Sequence, residues 1–229
     1  MRQIIALGGG FSTEPENLAL DHYVLAQTGK DKPRVCFLPT ASGDSADYIE
    51  RFYAAFNTLP CAPSHQPLFQ SPPRDIPAFL LSQDVIYVGG GNTKNMLAIW
   101  RAWGLDEVLR TAWERGIVLA GISAGALCWY EAGVTDSVPG TLSALRCLGF
   151  LQGSFSPHYD SEPERRPTFH RLLFQGALGP GVALDDGVAL HYVERQLHRV
   201  VRSSEGPTAY RLEISQGEVQ ERRMRAETL

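Results

Sequence analysis

Ser123 is the residue around which chemistry can be built. It stands in Gly121-Ile122-Ser123-Ala124-Gly125-Ala126, directly after the apolar, β-branched run Ile117-Val118-Leu119-Ala120. A strand that stops at a serine between small residues, with a helix expected over residues 127–130, has the composition of a nucleophile elbow. Such a turn is too tight for bulky flanking side chains, and it lifts the hydroxyl clear of the sheet edge. It also aims the next backbone N–H, here that of Ala124, at any developing oxyanion. The competing reading is a glycine-rich strand-to-helix turn whose serine does nothing.

A serine hydroxyl needs a base to act as a nucleophile at neutral pH, and histidine is the usual one. His158, in Ser156-Pro157-His158-Tyr159-Asp160, is the best placed of six histidines. Pro157 restricts Ser156 to an extended conformation, so a strand ends there and presents His158 in a loop. His22, His170, His191 and His198 lie on helix or strand patterns that suit packed or surface histidines, and His65 sits in a Pro-rich connection.

The base in turn needs a carboxylate to fix its tautomer, and sequence distance cannot select one because such groups meet only in space. Asp186, in Leu184-Asp185-Asp186-Gly187, follows an apolar strand; Asp136 lies in the loop beyond the serine's helix; Glu131 and Asp160 are weaker candidates. Gly89-Gly90-Gly91-Asn92-Thr93 also follows an apolar strand, and glycine there lets backbone N–H groups approach a ligand closely. No Gly-Lys-Ser/Thr follows, which excludes a Walker loop, and Gly8-Gly9-Gly10 is only a partial match to a dinucleotide loop. Gly90 and Gly91 are therefore read as oxyanion donors alongside Ala124. Arg165 and Arg166 follow His158 closely, and arginine suits bidentate recognition of a carboxylate.

The elements that must position these groups alternate. Strands are expected over 4–7, 35–38, 84–88 and 117–122, with helices over 15–27, 44–56, 92–115 and 168–174 between or after them. Strands buried on both faces and separated by helices argue for a doubly wound, mostly parallel α/β sheet. The last fifty residues differ. Short segments at 182–186, 188–193, 197–202 and 209–214, split by turns, predict antiparallel strands near the C-terminus. The stretch 62–77 is a Pro-rich connection with at most one short strand.

At 229 residues, 44% hydrophobic and 20% charged, the sequence predicts one α/β domain spanning 1–229 with a sizeable core. A net charge of -4 without a Lys/Arg run gives no reason to expect a nucleic-acid partner. No apolar stretch reaches the ~20 residues that span a bilayer, so no membrane partner is expected. Cys36, Cys61, Cys128 and Cys147 have no CxxC spacing and read as reduced thiols of a cytoplasmic protein. Nothing requires a metal, nucleotide or flavin, so no cofactor is expected. The sequence is compatible with a homodimer.

Taken together, Gly89-Gly90-Gly91-Asn92-Thr93, Gly121-Ile122-Ser123-Ala124-Gly125-Ala126, Ser156-Pro157-His158-Tyr159-Asp160 and Leu184-Asp185-Asp186-Gly187 resemble the peptidase E family of serine peptidases, aspartyl dipeptidases related to cyanophycinases. The resemblance covers residues 4–193. It implies a fold akin to the class I glutamine amidotransferases and cytoplasmic hydrolysis of small peptides with an N-terminal aspartate. Carried over by position, Ser123 is the nucleophile and His158 its base. Asp186 falls where the family has a glutamate before glycine and is favoured as the histidine's partner, while Asp136, at a second family acid, is kept as a functional acid in the same neighbourhood. Arg165 falls within one residue of a substrate-side arginine, and Asn92 at the glycine-loop asparagine of the substrate site. The alternatives are a broader peptidase or esterase, a hydrolase of aspartate-arginine polymers, and a non-enzymatic module that binds a small ligand.

Overall fold

The apolar runs of the N-terminal half form parallel strands because both faces of each are covered. A computed structural model describes residues 1–70 and 75–229. Its first half runs β1 (Gln3–Leu7), α1 (Ala19–Ala26), β2 (Arg34–Leu38), α2 (Ala46–Phe56), β3 (Ala62–His65), α3 (Ile76–Leu81), β4 (Val85–Val88), α4 (Thr93–Trp103), α5 (Leu105–Glu114) and β5 (Val118–Ile122). Strands β1, β5, β4, β2 and β3 lie side by side in that order, all parallel. Alternation along each strand feeds two separate cores. Ile5, Leu7, Val35, Phe37, Val85 and Tyr87 face one layer, with Phe11, Phe52 and Phe56. Ile4, Ala6, Cys36, Leu38, Ile86 and Val88 face the other, with Trp100, Trp113 and Trp129. This two-sided burial is why the runs read as continuous rather than alternating hydrophobicity.

The second half continues α6 (Ala124–Leu127), β6 (Tyr130–Thr135), β7 (Ser143–Arg146), β8 (Leu151–Ser156), α7 (Arg165–Phe174), β9 (Gly181–Leu184), β10 (Val188–Val193), β11 (Gln196–Arg202), β12 (Ala209–Ser215), β13 (Glu218–Met224) and β14 (Glu227–Thr228). Strands β10 and β11 extend the first sheet antiparallel beyond β1, with β14 at the edge. The others build a second sheet in the order β13-β12-β9-β8-β6-β7, in which β6, β8 and β9 are parallel. The chain passes from the first sheet to the second just after Ser123, and returns through Asp185-Asp186-Gly187. Two crossings therefore bring the ends of β5, β8 and β9 together.

Several expected elements differ in detail. The helix expected over 15–27 begins only at Ala19, because residues 10–17 are used in turns closed by Glu14 N–H to Gly10 O and Asn17 N–H to Glu14 O. The span 92–115 is two helices, with Gly104 in the left-handed conformation at the break. The helix expected over 127–130 is misplaced. Helix α6 occupies Ala124–Leu127, and Tyr130 opens β6, its ring stacked 4.7 Å from that of Phe155. Trp129 and Tyr130 are buried in either conformation, so an apolar pattern does not separate the two. Helix α7 starts at Arg165, before the expected residue 168; Pro167 falls in its first turn, where an N–H has no intrahelical acceptor to lose. The connection 62–77 holds β3 and the start of α3, while its residues 71–74 lie outside the described residues. Strand β13 was not foreseen, because its mixed charges give no period. Among the described residues no helix is long and apolar enough to cross a membrane.

Candidate active site

The turn after β5 explains the glycines around Ser123. A Cβ on Gly121 would lie 2.3 Å from the carbonyl oxygen of Gly125, and one on Gly125 would lie 2.3 Å from that of Val88. Strand, turn and helix are thus in backbone contact, which only glycine permits. Ser123 itself has φ 55° and ψ −111°, a conformation L-residues rarely adopt. Its carbonyl accepts the N–H groups of Ala126 and Leu127, and its N–H donates to Leu7 O. The backbone is held from both sides, and the hydroxyl is left to face outward.

His158 reaches that hydroxyl from the second sheet. Its Nε2 lies 2.9 Å from Ser123 Oγ, and its Nδ1 lies 2.6 Å from Asp186 Oδ1. Parallel strands β8 and β9 pair Ser156 with Ala183, so the residues beyond both ends emerge on the same side. His158, like Ser123, is in the left-handed region, with φ 54°. Asp186 is fixed in turn: Ser161 Oγ donates to its Oδ2 at 2.7 Å, and its N–H donates to Asp160 Oδ1 at 2.9 Å. Burial pushes the Asp186 carboxyl up, but hydrogen bonds from His158 and Ser161, with the charges of His158 and Arg165, outweigh it and hold the group below its usual range. An acceptor of that kind holds Nδ1 as the protonated nitrogen and leaves Nε2 to take a proton.

Asp136 is not the histidine's partner. It is exposed, beside an open cavity it lines with Thr141, Glu164, Thr168 and Arg171, and Asp186 already occupies Nδ1. Its loop is nevertheless tied to the glycine segment, since Asn92 Nδ2 donates to Ser137 O and the Lys94 N–H donates to Ser137 Oγ. Asn92 is a brace rather than a free substrate contact: its Oδ1 also caps α4 by accepting the Asn95 N–H at 2.9 Å. A short polar side chain at a helix start is committed in this way by the unpaired amides there.

The glycine loop packs on the serine, with a Cβ on Gly90 lying 3.3 Å from Ser123 Cβ. The Gly90 N–H donates to the Tyr48 hydroxyl at 3.1 Å, which removes it as an oxyanion donor. Among the described residues the N–H groups of Gly91 and Ala124 have no hydrogen-bond acceptor. Gly91 has φ 133° and its position for a Cβ is filled by Ala41 O at 2.3 Å, so this loop is also glycine by necessity. Arg165 is buried rather than open to solvent: its Nε donates to Glu162 Oε2 at 2.7 Å and its Nη1 to Val134 O at 3.0 Å. Sequence reasoning missed Tyr48 and Ser161. Tyr48 comes from a distant helix and carries no local signal. Ser161, three residues after His158, stands where one turn of backbone returns, as the Glu162 N–H to His158 O bond shows.

A strand-turn-serine at the edge of a parallel sheet, faced by a histidine-carboxylate pair from a second sheet, has the makings of a hydrolase site, and sequence comparison gives the class. The model of peptidase family S51 matches residues 4–200, so the chain belongs to that family. It is 57% identical over 222 residues to a Bacillus subtilis (strain 168) protein named uncharacterized peptidase YgaJ, covering 96% of each chain. Two solved structures share its fold at 18% identity. One is a peptidase from an acI-B1 Actinobacterium, with TM-score 0.70 over 99% of this chain and 95% of that one. The other is a putative peptidase E protein from Listeria monocytogenes EGD-e, with TM-score 0.58 over 98% of this chain and 100% of that one.

Proposed function

We infer that this family S51 peptidase is a serine peptidase that cleaves small peptides, dipeptides with N-terminal aspartate first among them, through an acyl-enzyme on Ser123. The observation that carries the reading is the continuous chain Ser123 Oγ, His158, Asp186, with contacts of 2.9 and 2.6 Å. Ser123 Oγ attacks the carbonyl carbon while its proton passes to His158 Nε2. The tetrahedral oxyanion accepts the Gly91 and Ala124 amides, which among the described residues have no other acceptor. The C–N bond then breaks as His158 returns the proton to the leaving amine. Water attacks the ester, giving its proton to His158, and the acid departs as the Ser123 hydroxyl is restored. Asp186 keeps the imidazole oriented throughout and stays ionised, as its lowered pKa favours.

Arg165 supplies the cation for an aspartyl side chain. It is held by Glu162 and Val134 beside the site, close enough to Asp186 to help lower its pKa, and its Nη2 makes none of the described hydrogen bonds. Asp136, on the loop tied to the glycine segment, is assigned to the same neighbourhood as a second functional acid. The commitment of Nε and Nη1 to protein acceptors favours one further reading, a peptidase of broader specificity in which Arg165 is structural.

A panel of Asp-X, Glu-X and neutral dipeptides with an ester control, run beside Ser123→Ala, tests both. The expected result is preferential turnover of Asp-X that disappears in the variant. Preference for neutral dipeptides would remove the role given to Arg165, and turnover by Ser123→Ala would remove the acyl-enzyme.

A further inference from the structure

The C-terminal hairpin β12–β13 reaches back to the residues next to both His158 and Asp186. It lies beyond residue 200, where the family match ends. Glu221 of β13 accepts the Tyr159 hydroxyl at 2.8 Å and His170 Nε2 at 2.8 Å on one oxygen, and Arg166 Nη1 at 2.5 Å on the other. The Arg166 guanidinium lies 4.5 Å from the Tyr159 ring and 4.8 Å from that of Tyr210 on β12, so the two aromatic rings and the ion pair form one packed unit. On the other strand of the hairpin's attachment, the Thr208 N–H donates to Asp185 Oδ2 at 2.9 Å, and β12 pairs with β9 up to Leu184. The hairpin thus grips Tyr159, which follows His158, and Asp185, which precedes Asp186.

The grip has something to do. A histidine at φ 54° is held in a conformation that its own backbone disfavours, and such residues persist only where the surroundings over-determine them. Ser123 and Asp186 touch only the ring. The backbone on the C-terminal side is held by the Glu162 N–H to His158 O bond at 3.0 Å, by the Tyr159 N–H to Leu184 O bond at 2.9 Å and by the buried Tyr159 side chain, whose polar end is fixed by Glu221.

We propose that Glu221 is a positioning residue for the reaction: through Tyr159 it keeps His158 in the left-handed conformation that places its imidazole between Ser123 and Asp186. Glu221 touches no reacting atom. The inference rests on the serine-peptidase reading, and its test separates the two. Wild type, Tyr159→Phe, Glu221→Leu (which leaves the Tyr159 hydroxyl no acceptor there) and the double variant are compared by the rate of covalent modification of Ser123 with a peptidyl phosphonate, by kcat and KM, and by the low-field NMR resonance of the His158 Nδ1 proton.

The expected result is an inactivation rate and kcat lowered about tenfold or more in each single variant, KM nearly unchanged, and the histidine resonance shifted or broadened. Because the Tyr159–Glu221 contact is common to both substitutions, the double variant should lose little more than Glu221→Leu alone, which also gives up the Arg166 and His170 contacts. Glu218→Gln, on the same strand and exposed, should match wild type. Should Glu221→Leu fold poorly, Tyr159→Phe, which deletes one hydroxyl, carries the test alone. Single variants within twofold of wild type, an unshifted resonance, or losses that multiply would overturn the proposal. A wild-type protein that the phosphonate leaves unmodified would instead overturn the serine-peptidase reading itself.

Discussion

At the residue scale, the choice between two acids becomes a measurable difference. Asp186 holds His158 Nδ1 at 2.6 Å, while Asp136 is exposed on a neighbouring loop. Asp186→Asn keeps the shape but removes the charge and presents the wrong tautomer, so kcat should fall on the order of 10⁴-fold, the size seen when a triad aspartate is replaced in this way. Asp136→Asn should leave the rate of Ser123 acylation by an activated ester within a few-fold and act on KM for dipeptides. Steady-state kinetics of the two variants checks this, and a larger kcat loss at Asp136 would reverse the assignment. Ser123 and His158 were legible in the sequence because each carries a local signature, glycines two positions either side of the serine and proline before the histidine. The partner acid carries no such signature: Asp186 is favoured over Asp136 only through the family resemblance, and it is the parallel register of β8 and β9 that brings it to His158 Nδ1.

At the element scale, the two glycines that frame Ser123 are architectural, whereas those of the 89–91 loop are graded. Gly125→Ala drives a Cβ to 2.3 Å of a backbone oxygen on β4, and neither backbone can yield without moving a buried strand. A loss on the order of 3 kcal/mol, and a large drop in soluble protein, is expected from overpacking of that kind. Gly90→Ala meets Ser123 Cβ at 3.3 Å and otherwise only ordinary contacts, Ile122 O at 3.6 Å and the Tyr48 hydroxyl at 3.8 Å, so the protein should remain folded while kcat falls. Thermal unfolding of the two variants measures the contrast; equal stability would mean that the β4–β5–α6 contact is softer than its geometry implies. The strands of the first sheet were readable because burial on both faces gives unbroken apolar runs. The second sheet was less so: β6 begins inside an apolar segment that suits a helix equally well, and β13 has charges on both faces. Tyr48 and Glu221 reach their partners from remote elements, and nothing local in the sequence marks such contacts.

At the scale of the whole molecule, two buried titratable groups set opposing pH trends. Burial pushes the Asp21 carboxyl up to about 7, although Tyr87 donates to its Oδ1 at 2.7 Å. Between pH values of about 4 and 7 the folded protein keeps a proton that the unfolded chain has released, so this group makes stability fall as pH rises. Burial pulls His191 down to about 4, and there the unfolded chain binds the proton first, so its contribution rises with pH up to its ordinary value of 6.5. Asp21→Asn, which stays neutral, should therefore gain on wild type across that window, by up to about 4 kcal/mol, and level off above it. Urea unfolding at a series of pH values checks the sign; a difference independent of pH would contradict the buried, protonated state of Asp21. Stability and chemistry meet in the way two sheets deliver a serine and a histidine to one point. Treating the protein with a fluorophosphonate and locating the adduct by mass spectrometry tests that meeting most directly. One phosphonyl group is expected, on Ser123, formed quickly by wild type and at least a thousandfold more slowly by His158→Ala. An adduct elsewhere, or labelling of Ser123 at the same rate without His158, would contradict it.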